Sequence, residues 1–546
     1  MPKTTQEETA NKDLTAVEIH SCAAENSTMS FPLGALCIKT ALNTMKPQVF
    51  RAAVYENLVT YDYREQAEKC AERKPQAVGL SVYIWNYEWM CSFAAELKRL
   101  YPEVIVFAGG PQASAFRADF PDFLNFAVTG EGEVTTPRLL LKAFELKKEG
   151  KEIKEVVQSE LPDLNTLESP FLSGQADNQL RNTDAVLWEM TRGCPFGCAF
   201  CFESRGNRSV RDYPIERIKE EFFYLLKFDI CKVFVLDPTF NLNMDRAKEI
   251  LTFLIENAPA DMHFTFEIRA ELIDSELARL LASLNCSVQI GLQSSDEKVL
   301  KNINRSFDRA RFERNMKLLS REGVAFGLDV IIGLPGDTLH TFRSTLDFAV
   351  SLQPSNIDCF ILSLLPGTEL NEKKELLGLK TDESVMRNLV SSPTFSEKDI
   401  CQAKDLAHAM DLFYTKGEAD MWIHCILETL NISACNLFSL FSKWMKQTGR
   451  SEEEDIWILQ DDFVTSLFEK TSNGKLVPAI RSFMELHQGL CYVRDCGEPA
   501  TLELSYTPDD LSVLDRMSLS EFVKTRKPRH CTPTIDLDYD GSVIIR

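Results

Sequence analysis

Short apolar runs that end in glycine or proline, each followed by an amphipathic helical stretch, recur twice along this chain. That rhythm limits the fold more than any other feature. In the first stretch, 14–160, runs at 16–22, 76–85, 104–111 and 126–133 read as strands (AVEIHSC, QAVGLSVYIW, VIVFAGGP, FAVTGEGE). Helical spacing fills 32–45 and 88–101, the former opening on Pro32, a residue suited to a helix start. Strands alternating with helices make βαβ units and a parallel sheet. The rhythm returns over 184–372, with strands at 184–190, 232–240, 263–270, 287–294, 324–335 and 356–368, and helices such as 215–227 and 310–323. Six strands with crossover helices predict a partial (β/α)6 barrel, whose chemistry sits at the C-terminal strand ends.

Between the two stretches lies a linker, 161–183, whose first half is rich in Pro, Ser and acidic residues. After them, 373–546 reads as a mainly helical region, with clear helices at 404–414 and 435–446. It closes on a hairpin expected to turn at Asp540–Gly541. The fold class is therefore α/β: a Rossmann-like N-terminal domain, a central partial barrel and a helical C-terminal domain. Trp422, Phe438 and Trp444 fit a helical core, and Lys524–Arg529 a solvated face. Cys491 and Cys496 have no partner motif for a second cluster.

A formal net charge of -21 argues against nucleic acid and anionic membrane surfaces as partners. The first residues, MPKTTQEETANKD, lack the apolar core of a secretory leader, and no apolar run reaches the length of a membrane span. These features point to the cytoplasm, a reducing compartment where the 16 cysteines stay as thiols or bind metal.

Three of those thiols carry the strongest chemical signal. TRGCPFGCAFCFES (191–204) places Cys194, Cys198 and Cys201 directly after a predicted strand. Gly193, Pro195 and Gly197 let the backbone wrap closely around a small inorganic group. Iron–sulfur clusters normally take four cysteines. Three leave one metal corner open, the mark of a catalytic rather than a structural site. Zinc is the alternative and would need a fourth ligand; the nearest histidine, His263, is far along the chain. Chance grouping is the other alternative.

The pattern Cys194-x-x-x-Cys198-x-Phe200-Cys201 resembles the radical S-adenosylmethionine (SAM) signature, and the resemblance extends across 184–372. It implies a [4Fe–4S] cluster on the three cysteines, with Phe200 beside the bound SAM. In that family SAM chelates the open iron, and an electron from the cluster releases a 5'-deoxyadenosyl radical. By strand order, Asp237 falls where the family binds the methionine amino group, although the usual Gly-Gly-Glu is absent here. Asn241 in the same loop is a second SAM contact or a turn-stabilising residue. Glu267 and Arg269 share one face of the third strand and are either SAM contacts or a buried ion pair. Gln289, Gly291 and Gln293 share a face of the fourth strand, where the family contacts ribose or carboxylate, and Gln293 is the candidate. Gly333 and Leu334, in IIGLPGDT, match the adenine-binding stretch.

The first 150 residues resemble the cobalamin-binding domain that precedes many radical SAM cores. The matching pieces are Pro32-Leu33-Gly34, Ser81 with Tyr83 after it, Gly109-Gly110-Pro111 and Gly130-Glu131-Gly132. Ser81 either lines the slot for the nucleotide tail or serves an ordinary turn. The Asp-x-His-x-x-Gly motif that ligates cobalt is absent, which implies a His-off cofactor and leaves His20 as a structural histidine. No Gly-x-Gly-x-x-Gly follows the first strand, which argues against NAD or FAD. The C-terminal region resembles the helical tail of one subgroup of these proteins.

The resemblance implies a cobalamin-dependent methyltransferase acting on an unactivated carbon of a small molecule or peptide, fed by a flavodoxin- or ferredoxin-type electron donor. A radical cyclisation, oxidation or rearrangement without methyl transfer is a second reading. A non-catalytic cobalamin or redox sensor is a third.

Overall fold

A computed structural model describes residues 14–25, 27, 30–203, 208–538 and 543–546. The chain forms two compact units. One comprises Met1–Glu267, Ser363–Glu375 and Thr381–Asn388; the other comprises Ile268–Leu362, Leu376–Lys380 and Leu389–Arg546. The division runs through the stretch expected to be one barrel, directly after Glu267.

The first unit opens with six parallel strands: β1 (Thr15–Ala23), β2 (Phe50–Leu58), β3 (Ala77–Ser81), β4 (Ile105–Gly109), β5 (Phe126–Thr129) and β6 (Glu155–Gln158). Their order is β2-β1-β3-β4-β5-β6. Buried residues cover both faces, as a parallel sheet requires. Met90, Phe93 and Leu97 of the helix Tyr87–Leu100 cover one face. Ala35 and Leu42 of Leu33–Asn43, with Leu139 and Leu140 of Thr135–Lys148, cover the other. The order reverses between β1 and β3, and sheets of this kind bind ligands at that switch, beyond the strand C-termini.

Two of these strands were not expected. β2 sits at one edge, and its burial alternates with charged residues such as Arg51 and Glu56. β6 is short and polar at the other edge. The linker is a packed strap. Phe171 and Ala176 are buried; Asn43 donates to the Gln175 side chain at 2.8 Å and Gln179 to Glu56 at 3.1 Å. Its weak periodicity reflects irregular backbone held by side chains.

The six strands expected between 184 and 372 are all present. In the first unit β7 (Ala185–Trp188) pairs with β10 (Lys232–Val235), which pairs with β11 (His263–Ile268), all parallel. A two-residue ribbon, β8 (Thr191–Arg192) against β9 (Arg211–Asp212), is antiparallel. In the second unit β12 (Cys286–Gln293), β13 (Ala325–Ile332) and β14 (Asn356–Ile361) are parallel, with helices Arg309–Glu322 and Leu339–Ser351 between them.

The rest of the second unit is helical around an aromatic core. Phe413 meets Trp422, Phe438, Phe441 and Phe463 at 5.0–6.1 Å, and Trp444 stacks on Phe441. The terminal hairpin is present as Thr534–Leu537 against Val543–Ile545; its expected turn at Asp540–Gly541 lies outside the described residues. Among the described residues, no single helix is long and apolar enough to cross a membrane. Ile423–Leu430 and Ala434–Thr448 pass that test together but are bent by 97°.

Candidate active site

The three cysteines follow the buried end of β7, and nonlocal bonds hold the backbone leading to them. Asp237, just after β10, is 3% exposed. Its Oδ1 accepts the backbone N–H groups of Met190 and Thr191, both at 2.9 Å. Burial pushes its carboxyl up to about 7. The Arg246 guanidinium donates to the carbonyls of Met190, at 3.3 Å, and Tyr213, at 2.8 Å. Gly193 has a φ of +92°, and a Cβ there would lie 2.4 Å from the Ser209 carbonyl oxygen, so only glycine permits the chain to turn into the loop at this point.

Within the loop, the Cys201 N–H donates to the Cys198 carbonyl at 3.1 Å, and Leu370 N–H donates to the Ala199 carbonyl at 3.0 Å. Cys198 is buried; Cys194 and Cys201 are half-buried, as is Phe200. No cysteine of the chain is in a disulfide. Register tests the zinc alternative. His263 is level with Lys232, which is level with Ala185. His263 thus lies at the end of β11 opposite to the thiol loop. Three thiols on a short irregular loop with clamped ends suit a cluster with one open corner.

Asn241 is fully buried in the turn after β10, while Glu267 is exposed on β11. In the second unit Arg269 pairs with Glu271 at 3.0 Å. In the second unit, Gln293 ends β12 with a φ of +66° beside a register shift. Such a conformation in a non-glycine residue is a strain that often marks a functional position. Gly333 has a φ of +88°, and a Cβ there would press to 2.4 Å on Leu389. Leu334 is buried, and its carbonyl accepts the Asp337 N–H at 2.9 Å. Burial raises the Asp337 carboxyl to about 6.

Sequence reasoning missed a polar network on the same strands. Gln289 Nε2 donates to Asp329, at 2.6 Å, and to Asp358, at 2.9 Å; Asn356 donates to Asp358 at 2.8 Å. Burial raises both carboxyls. The available signal was a lone aspartate inside each of two apolar runs, GLDVII and NIDCFI.

The glycine turns of the first sheet gather at its C-terminal edge. Gly110 has a φ of +103°, and a Cβ there would lie 2.5 Å from the Val82 carbonyl oxygen; none would touch anything within 4 Å at Gly109. The loops after β3 and β4 are stitched by Val82 N–H to Gly109 O at 2.8 Å. Pro32 caps the helix Leu33–Asn43, and Leu33 is buried. Tyr83 stacks on the half-exposed Trp85 at 4.5 Å. Two hydroxyls at this edge, Thr135 Oγ1 and Ser159 Oγ, are buried with no hydrogen-bond partner. Each such atom costs about 1–3 kcal/mol unless a ligand satisfies it. Glycine turns and orphaned hydroxyls suit a large polar cofactor.

Glu131 points elsewhere: its carboxylate bonds Arg192 at 2.7 Å and also Arg211. Gly130, before it, has a φ of +87°, and Gly132, after it, has Ile38 and Thr136 against its α-carbon face. His20 is buried between Tyr55 and Phe93 and bonded to Glu18 at 3.2 Å. Among the described residues, Glu18, His20 and Cys70 form the one group close enough to hold a metal ion. The Arg73 guanidinium already supplies the cation, with two bonds of 2.7 Å to Glu18.

Two family models match the chain: the radical SAM superfamily over residues 188–349 and the B12 binding domain over residues 29–140. The cobalamin-dependent radical SAM methyltransferase TokK of Streptomyces tokunonensis is 26% identical over 352 residues, 58% of this chain and 51% of that protein. The 2-(S-pantetheinyl)-carbapenam-3-carboxylate methyltransferase of Streptantibioticus cattleyicolor is 24% identical over 384 residues, 64% and 55% respectively. The chain thus spans about half the length of these relatives. Two solved structures share its fold. TsrM of Kitasatospora setae, a radical SAM methyltransferase, has a TM-score of 0.54 at 18% identity, over 67% of this chain and 77% of that one. The cobalamin-dependent radical enzyme OxsB has a TM-score of 0.59 at 14% identity, over 95% and 85%.

Proposed function

We propose that this chain, a radical SAM protein with a B12 binding domain ahead of its core, is a methyltransferase that moves a methyl group from cobalamin to an unactivated carbon. The observation that carries this reading is the presence, in one compact unit, of a three-thiol loop at a strand end and a parallel sheet whose C-terminal edge is lined by glycine turns. The match to both family models and to two curated methyltransferases supports it.

In this reading Cys194, Cys198 and Cys201 would hold a [4Fe–4S] cluster. The turns at Ser81–Tyr83, Gly109–Pro111 and Gly130–Gly132, with Thr135 and Ser159, would hold cobalamin. When bound, the cluster and SAM supply one-electron reductive cleavage and cobalamin supplies a transferable methyl group.

The chain's own residues position and shield these groups. Asp237 and Arg246 fix the backbone entering the thiol loop by bonds to Met190, Thr191 and Tyr213. Buried Cys198 and Ala199 keep water from one side of that loop. Phe200, Asn241, Glu267, Arg269, Gln293, Gly333 and Leu334 are the proposed SAM contacts. The Gln289–Asp329–Asp358 network offers a hydrogen-bonding surface to a polar substrate group. The substrate is a small molecule or peptide, the electron donor is of the flavodoxin or ferredoxin type, and the site of action is the cytoplasm, where 16 thiols without a disulfide persist.

The test is anaerobic incubation of reconstituted protein with reductant, SAM and candidate substrates. Methyl transfer predicts both 5'-deoxyadenosine and S-adenosylhomocysteine. 5'-Deoxyadenosine alone would replace methylation by a radical rearrangement or oxidation. Binding of SAM without cleavage after reduction would make the chain a sensor.

A further inference from the structure

The loop after β5 and the backbone entering the thiol loop are joined by a half-buried ion cluster. Glu131 and Glu133 flank Gly132 in the loop after β5. Glu189 and Arg192 lie between β7 and Cys194. The Arg192 side chain is 11% exposed and uses all three nitrogens: Nη1 on Glu131 at 2.7 Å, Nη2 on Glu133 at 2.7 Å and Nε on Glu189 at 2.9 Å. Arg211, paired with Arg192 across the β8–β9 ribbon, takes the other oxygen of Glu131 and donates to the Pro162 carbonyl at 2.9 Å. The Tyr213 hydroxyl closes the cluster on Glu189 at 3.3 Å.

Exposed ion pairs are worth little, but this cluster is partly buried, with Arg192 at its centre. Removing Arg192 would leave Glu133 and Glu189 without their guanidinium partner and Glu131 with Arg211 alone, an unfavourable state for partly buried carboxylates. The planar guanidinium also fixes direction, because each partner must lie in its plane. Any shift of the loop after β5 therefore pulls on a residue two positions from Cys194, and the reverse holds equally.

We propose that Arg192 is a positioning residue that sets the separation and mutual orientation of the two cofactors by clamping the Gly130–Glu133 loop to the backbone entering the thiol loop. The inference rests on the cofactor pair proposed above. In this role Arg192 touches neither reacting group. Lysine cannot replace it, since one ammonium lacks the fork that reaches three carboxylates.

The experiment measures the distance between the spins of cob(II)alamin and the reduced cluster by pulsed electron paramagnetic resonance, in anaerobically reconstituted protein. Wild type is expected to give one narrow distribution. Arg192→Gln and Arg192→Lys, carrying iron, sulfide and cobalamin at wild-type levels, are expected to give a broadened or shifted one. Methyl transfer should fall about a hundredfold, the cost of a misplacement of about 1 Å, while SAM cleavage persists. Glu133→Gln removes one strut only and gives the same reading should the arginine variants not fold. A distribution identical to wild type in variants that hold both cofactors would overturn the clamp. A wild-type protein lacking either spin signal would instead overturn the cofactor reading, and the clamp with it.

Discussion

Asp237→Asn isolates the part of the site that depends on one buried carboxyl. Burial raises that carboxyl from an ordinary 3.8 to about 7. A folded-state value above the unfolded one means that the folded chain binds the proton more tightly. Its contribution to stability is complete below the unfolded value and is lost as pH rises through about 7. The shift is roughly three pH units, which at about 1.4 kcal/mol per unit amounts to about 4 kcal/mol. Asparagine keeps an oxygen for the Met190 and Thr191 amides but cannot ionise. The variant should therefore gain on wild type as pH rises from about 4 to about 8, with a limiting slope of about 1.4 kcal/mol per pH unit. Urea unfolding of the metal-free chain at a series of pH values measures the difference. A difference flat across that window would refute the reasoning, since it would mean that Asp237 ionises as an exposed carboxyl does.

Three more outcomes follow from the site's geometry. Replacing any one of Cys194, Cys198 or Cys201 by alanine should abolish iron and sulfide uptake while leaving cobalamin uptake intact, read by metal and cofactor quantification after anaerobic reconstitution. Gly110→Ala meets the Val82 carbonyl oxygen at 2.5 Å with a φ of +103°. It should lower stability by about 1–3 kcal/mol and weaken cobalamin binding, read by thermal melting and absorbance titration. Gln289→Leu removes the donor shared by Asp329 and Asp358 and should cost about 1–3 kcal/mol. The loss should be larger at pH 8 than at pH 5, because both carboxyls already sit above their ordinary range and ionise unaided only at a further cost.

The elements visible in the sequence were those whose signal is local. Apolar runs such as VLW before the thiol loop or VFV before Asp237 declare buried strands, and all six expected between 184 and 372 exist. The edge strands β2 and β6 escaped because an edge needs only one buried face, and charged residues such as Arg51 and Glu155 break the apolar run. Side-chain roles were harder, since they depend on partners far along the chain. Asp237 stood out as a carboxylate at a strand end, but its two amide donors lie 46 and 47 residues earlier. Glu131 read as part of a cofactor turn, yet Arg192, 61 residues on, claims it. His20 was legible as structural because the cobalt-ligating pattern around it is missing, and its place between Tyr55 and Phe93 agrees.

The open-corner cluster is tested most directly by electron paramagnetic resonance of the reconstituted, reduced protein before and after SAM is added. An open corner predicts a reduced-cluster signal whose shape changes when SAM occupies the open iron and which is absent from a triple variant of Cys194, Cys198 and Cys201. A signal indifferent to SAM, or a protein that takes up zinc in place of iron and sulfide, would contradict it.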